Sequence, residues 1–116
     1  EQFQIVNPRI SAQNGRLALE SFVKIIYYLK SWQLEERTDL FGLTTDERFV
    51  AFINDDEMMK RIHYIRKVGN DAAHDSDKEV TCRKSFFLVL NLYYFVGNVM
   101  LTAGEYHADR DSYHAR

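Results

Sequence analysis

From Ser85 to Gly104 the chain carries no charged side chain, a run of twenty residues that is close to the length a helix needs to cross a bilayer. Such a segment has two ordinary fates: a membrane span, or the central helix of a bundle, buried nearly all round. Asn91 and Asn98 interrupt it and no basic cluster follows it, which favours the central helix and argues against a membrane partner. Its aromatic residues Phe86, Phe87, Tyr93, Tyr94 and Phe95 fall on several helix faces, so they read as core and not as a base-stacking platform. Thr81 is a reasonable cap for this helix, which is predicted to run to about Ala103.

The rest of the chain must then supply elements to surround that helix. With 116 residues there is room for one domain, and five glycines and a single proline are few for a turn-rich β protein. The expected fold is therefore all-α, an up-and-down bundle of about four to five helices occupying 1–103. The polar stretch 104–116 is expected to be a frayed tail or the start of a linker. A hydrophobic fraction of 46% with 14% aromatics excludes intrinsic disorder.

Asn7 followed by Pro8 has the form of an N-cap and first helical position. Ala18, Phe22, Ile25, Leu29 and Trp32 recur at three- and four-residue spacing and are predicted to form the buried seam of that helix. Asn14-Gly15 is a turn signal within it; periodicity favours one continuous helix, two helices meeting there being the other reading. Gln33 to Gly42 reads as a connection in which Leu40 and Phe41 tuck inward. Thr44 and Glu47 have capping-box spacing for a short helix whose Phe49, Phe52 and Ile53 face the core. Asn54 to Glu57 supplies a cap and negative charge for the next helix, and Asp75 to Lys78 reads as a solvated turn.

That next helix carries the chemistry. At about 100° per residue, Met58, Ile62, Ile65, Gly69 and Ala72 fall on one side. His63, Lys67, Asn70 and His74 fall within roughly one sixth of a turn on the other, with Arg66 beside them. Imidazole can pass protons at neutral pH, and a cation can stabilise charge developing on a phosphate under attack. The bland alternative is that Asn70 and His74 bond to a neighbouring element while Arg66 pairs with Asp55, Asp56 or Asp71. Gly69 inside a helix costs about 1 kcal/mol relative to Ala. With Ala72 and Ala73 it suggests close approach of another helix, most simply the aromatic last one, although a helix end at Gly69 would scatter the stripe.

Other chemistries lack a pattern. There is no Gly-rich phosphate loop, serine elbow, paired-carboxylate motif or Asp…Glu-x-Lys arrangement of a metal-dependent nuclease. Cys82, His107 and His114 are too few and too scattered for zinc. One cysteine cannot form an internal disulfide, which fits a reducing, cytoplasmic setting. A formal charge of −2 limits nucleic-acid contact to a local patch. The chain opens on Glu1 without a signal-peptide pattern, and a segment of a longer polypeptide is expected.

Three stretches carry a resemblance: Pro8-Arg9 with Gly15 to Lys24; Leu40-Phe41 with Arg48-Phe49; and Ile62 to His74, most specifically Ile65-Arg66-Lys67-x-Gly69-Asn70-x-Ala72-Ala73-His74. Together they resemble the helical domain near the N-terminus of many type I restriction enzyme R subunits and related prokaryotic proteins, a domain grouped with the HEPN superfamily. The resemblance implies a non-catalytic accessory domain of a defence protein, contacting other domains or subunits and DNA or RNA. Lys60, Arg61, His63, Arg66, Lys67 and Asn70 are its candidate nucleic-acid contacts. It implies no cofactor here, but ATP and Mg in the parent protein. Many HEPN members are metal-independent ribonucleases acting as dimers, which would make Arg66 the phosphate stabiliser and His74 the general acid/base. Seven residues separate that pair here, against four to six in the family's motif. A homodimer that serves purely as an oligomerisation scaffold is the third expectation.

Overall fold

The computed structural model describes residues 7–35, 38–74 and 77–114, with side chains as far as Thr102. Among the described residues the protein is all-helical: α1 (Pro8–Leu29), α2 (Leu40–Thr45), α3 (Glu47–Ile53), α4 (Asp56–His74) and α5 (Cys82–His114). The three long helices pack on one another, and short α2 and α3 close the side of α1 and α4. The last helix runs on to His114, so the expected end near Ala103 is corrected; Asp75 and Ser76 of the expected turn lie outside the described residues.

Helix α1 starts as its sequence dictates. The Asn7 side chain accepts hydrogen bonds from the backbone N–H groups of Arg9 and Ile10, and Pro8 takes the first turn, where its missing donor costs nothing. Its end is a Schellman motif: Trp32 N–H donates to Tyr27 O at 3.0 Å and Ser31 N–H to Tyr28 O at 3.1 Å. Ser31 occupies the left-handed position at φ 59°, where glycine is usual, and the Trp32 ring meets Tyr27 edge-on at 5.2 Å.

The buried seam of α1 is Ala12, Gly15, Leu19, Val23, Ile26 and Tyr27. It sits about one residue round from the predicted seam: Ala18, Ile25 and Leu29 face solvent, and only Phe22 and Trp32 of that set are half-buried. The helix carries apolar residues on both faces, so periodicity alone could not choose; close packing at Gly15 did. A Cβ on Gly15 would lie 2.4 Å from Leu88 Cδ2 of α5. A Cβ on Gly69 of α4 would lie 2.4 Å from the Arg16 Cβ of α1. The helix approaching Gly69 is therefore α1, and not the aromatic last helix as expected.

Two other expectations are corrected. Thr44 does not open a helix; it is buried in α2 with its hydroxyl bonded to Leu40 O, and Asp46 caps α3 by accepting from Arg48 N–H. Leu40 is buried as expected, but Phe41 is 53% exposed. Phe49 is buried, and Phe52 and Ile53 pack half-buried against the core.

The largest difference concerns α5. Its core-facing seam is narrow, with Ser85, Leu88, Asn91 and Phe95 buried and Leu92, Val96 and Val99 half-buried. Phe86, Phe87, Tyr93, Tyr94, Met100 and Leu101 are each more than half exposed. Cys82–Thr102 is long and apolar enough to cross a membrane, yet only 22% of its most apolar window is buried within the bundle. The predicted central helix is instead a peripheral one, because α1 and α4 cover one side of it and no described element covers the other.

Replacing Gly69 with Ala should destabilise the fold by about 1–3 kcal/mol in urea denaturation, despite the better helix propensity of Ala, because Arg16 cannot move its Cβ. Ser31→Gly should stabilise it by about 1 kcal/mol in the same measurement, by removing the left-handed strain of a non-glycine residue.

Candidate functional site

The polar stripe depends on α4 being unbroken past Gly69, and it is. Asp55 caps the start, its carboxylate accepting from Glu57 N–H at 3.0 Å and Met58 N–H at 3.2 Å. At the far end, Arg9 Nη1 donates to Asp71 O at 3.1 Å and Ala72 O at 2.8 Å, and Gln13 Nε2 donates to Ala72 O at 2.7 Å. Arg9 Nη2 also reaches Lys78 O across the turn. A cation at a helix C-terminus is favourable, and these bonds satisfy carbonyls that the last turn leaves without partners. The predicted apolar side holds: Met58, Ile62, Ile65, Gly69 and Ala72 are all buried.

The candidate side chains divide into four groups. Arg61, a candidate contact outside the stripe, is engaged with α5. Its Nη1 donates to Asn91 Oδ1 at 2.8 Å, its guanidinium lies 4.5 Å over the Tyr94 ring, and Asn91 donates onward to Phe87 O. Arg66 and His63 are partly committed. The Arg66 guanidinium stacks 4.9 Å from the centre of the Phe41 ring, and its Nε donates to His63 Nδ1 at 3.4 Å. Lys60, in contrast, is exposed beside Glu57 at 3.7 Å, an ion pair of the weak surface kind.

Lys67, Asn70 and His74 form the fourth group. All three are exposed, and among the described residues none makes a hydrogen bond or ion pair. The bland expectation that Asn70 and His74 bond to a neighbour and that Arg66 pairs with an acid is not what the structure holds; Asp71 pairs instead with Lys78 at 3.8 Å. From Lys67 to His74 the helix rises about 10 Å, roughly three nucleotide steps of one strand.

Arg66 and His74 are not brought together. Eight residues apart on a straight helix, their backbones are separated by about 12 Å along the axis. Arg66 leans onto Phe41 of α2, while His74 stands beyond the Arg9 and Gln13 clamp. Among the described residues no contact joins their side chains. The stacking ring of Phe41 and the clamp of Arg9 were missed from sequence, since both are tertiary contacts between elements far apart in the chain.

The motif residues therefore separate by cause. Pro8, Arg9, Gly15, Arg16, Gly69 and Ala72 are accounted for by capping and packing. Lys67, Asn70 and His74 are not needed by the fold in any contact described. A scan against protein-family models, a search of curated proteins and a search of solved structures each found no match, so the family resemblance rests on the sequence motif alone.

Burial, with the neighbouring Arg66 charge adding to it, lowers the His63 pKa below the ordinary 6.5. The unfolded chain then binds the proton more readily, so the stability tied to neutral His63 is fully present above about 6.5 and drains away as pH falls through the lower folded value. Urea midpoints should therefore fall between pH 7 and pH 5, and fall less in His63→Gln, which keeps an acceptor for Arg66. Equal slopes for the two proteins would exclude this role.

Proposed function

We propose that this helical domain is a non-catalytic accessory module that contacts nucleic-acid phosphates along the exposed ridge of α4. Lys67, Asn70 and His74 make the contacts, Lys60 extends the ridge toward the helix start, and His63 and Arg66 border it. The observation that carries this reading is the subtraction above: three polar side chains in a row, with no partner among the described residues, on a helix whose Ile62, Ile65, Val68, Gly69 and Ala72 are buried in packing. Lysine and an amide are suited to phosphate oxygens, and Asp71, the acidic side chain one turn on from Lys67, is paired with Lys78 at 3.8 Å.

Its sequence resemblance supports placing the domain in a prokaryotic defence protein of the type I restriction R-subunit kind, with a HEPN-like bundle as its fold and the cytoplasm as its setting. The resemblance assigns ATP and Mg to the parent protein and no cofactor to this domain. The separation of Arg66 from His74 weighs against a self-contained ribonuclease centre.

With a net charge of −2 the domain binds weakly, and only a few phosphates are in reach. At low salt, fluorescence anisotropy should show binding to a labelled RNA or DNA oligonucleotide. Lys67→Ala should weaken it several-fold and flatten its dependence on log salt by about one contact, whereas Lys24→Ala on α1 should leave it unchanged. No binding to either nucleic acid at low salt, or equal losses in both variants, ends this reading. Metal-independent RNA cleavage that disappears in both Arg66→Ala and His74→Ala would replace it with the ribonuclease.

A further inference from the structure

Phe41 was expected to tuck inward, yet its ring is 53% exposed at the border of the α4 ridge. Leu40, Leu43 and Thr44 form the buried side of α2, and Phe41 stands off it. An exposed phenylalanine alone is ordinary. This one has a cation over it: the Arg66 guanidinium lies 4.9 Å from the ring centre and is also held through its Nε by His63 Nδ1. An aromatic ring and a guanidinium plane are the two side-chain surfaces on which an unstacked nucleobase lies.

The helix that carries the ridge cannot enter a duplex. It packs on α1, on α2 and α3, and on α5, so only the ridge itself is open. The major groove is about 12 Å wide and a helix with its side chains about 10–12 Å across, which leaves no room for neighbours along both flanks. The ridge could therefore meet a duplex only along its backbone, with the bases stacked on one another and out of reach of Phe41. A single strand offers phosphates and a free base together.

The two flanks of the ridge differ in charge. Toward α5, Arg61 and Tyr94 form another cation–ring pair at 4.5 Å, but that guanidinium is engaged by Asn91 Oδ1, and Asp55 and Glu57 line the same groove. Asp71 also leaves α4 on the α5 side, where it pairs with Lys78. Toward α2, the α4 side chains from His63 to Ala73 are His63, Arg66, Asn70 and Ala73, none of them acidic.

We infer, resting on the ridge reading above, that Phe41 and Arg66 form a stacking subsite for one unpaired base, so that the ridge takes single-stranded nucleic acid in preference to duplex. A base on this subsite leaves its phosphate about one turn of α4 from Lys67 and Asn70, so one strand engages both. Every base has a π-face, so the subsite reads strandedness and not sequence.

At low salt, fluorescence anisotropy should show a short labelled strand binding at least about fivefold tighter than the same strand annealed to its complement. Phe41→Leu, which keeps an apolar side chain but no ring, should weaken strand binding about tenfold. It should leave duplex binding and the slope against log salt unchanged, since no phosphate contact is lost. Phe41→Tyr should retain full affinity, and circular dichroism should show both variants folded, the side chain being exposed. Native protein should bind a strand of abasic sites as weakly as Phe41→Leu binds the intact one. A duplex bound as tightly as its strand, an abasic strand bound as tightly as the intact one, or full affinity in Phe41→Leu would each overturn the subsite. The ridge would stand in those cases if Lys67→Ala still flattened the salt dependence. Binding to none of these nucleic acids removes the ridge and the subsite with it.

Discussion

Arg16 lies across Gly69 with its aliphatic stem where any other side chain would project, and the rest of the molecule is positioned by that contact. It sets the register between α1 and α4, which run in opposite directions. Because Arg16 meets Gly69, Arg9 and Gln13, two turns or less toward the start of α1, arrive at the carbonyls of Asp71 and Ala72. Gly15, next to Arg16, faces the other neighbour and receives Leu88 of α5. Two adjacent residues on α1 thus fix two helices, and the exposed ridge of α4 is what remains once its other faces are committed.

The parts of this structure that the sequence disclosed are those governed by local physics. The caps at Asn7 and Thr81 and the two-sided pattern of α4 each follow from a few neighbouring residues, and each is present. The continuity of α1 through Asn14-Gly15 was legible for the same reason. What periodicity could not supply was the number of neighbours. It identified α5 as apolar on most faces, and the inference that such a helix must be central failed because the other described helices, two of them short, do not surround it. The seam of α1 was displaced for a related reason: Leu17, Ile25, Tyr28 and Leu29 are apolar yet outward, and they competed with the true buried set.

Which face each candidate side chain leaves from was legible; what the long cations touch was not. Lys67, Asn70 and His74 share a face as the wheel requires, but Arg61 belongs to the α5 contact and Arg66 to Phe41. Long cationic side chains choose among aromatic rings and amides that only the tertiary fold brings near, so their one-dimensional position says little about where the charge ends up. Ser31 shows the same limit for backbone: the left-handed position it fills usually announces itself as glycine.

The Arg9 guanidinium touches the end of α4 at Ala72 and the following turn at Lys78, positions more than sixty residues away in the chain. Helix termini ordinarily loosen one at a time, each in its own equilibrium with solvent. Here the first turn of one helix and the last turn of another share their hydrogen bonds, so neither can open without releasing the other. They belong to a single cooperative unit, and amide exchange at the two ends should keep the same clock.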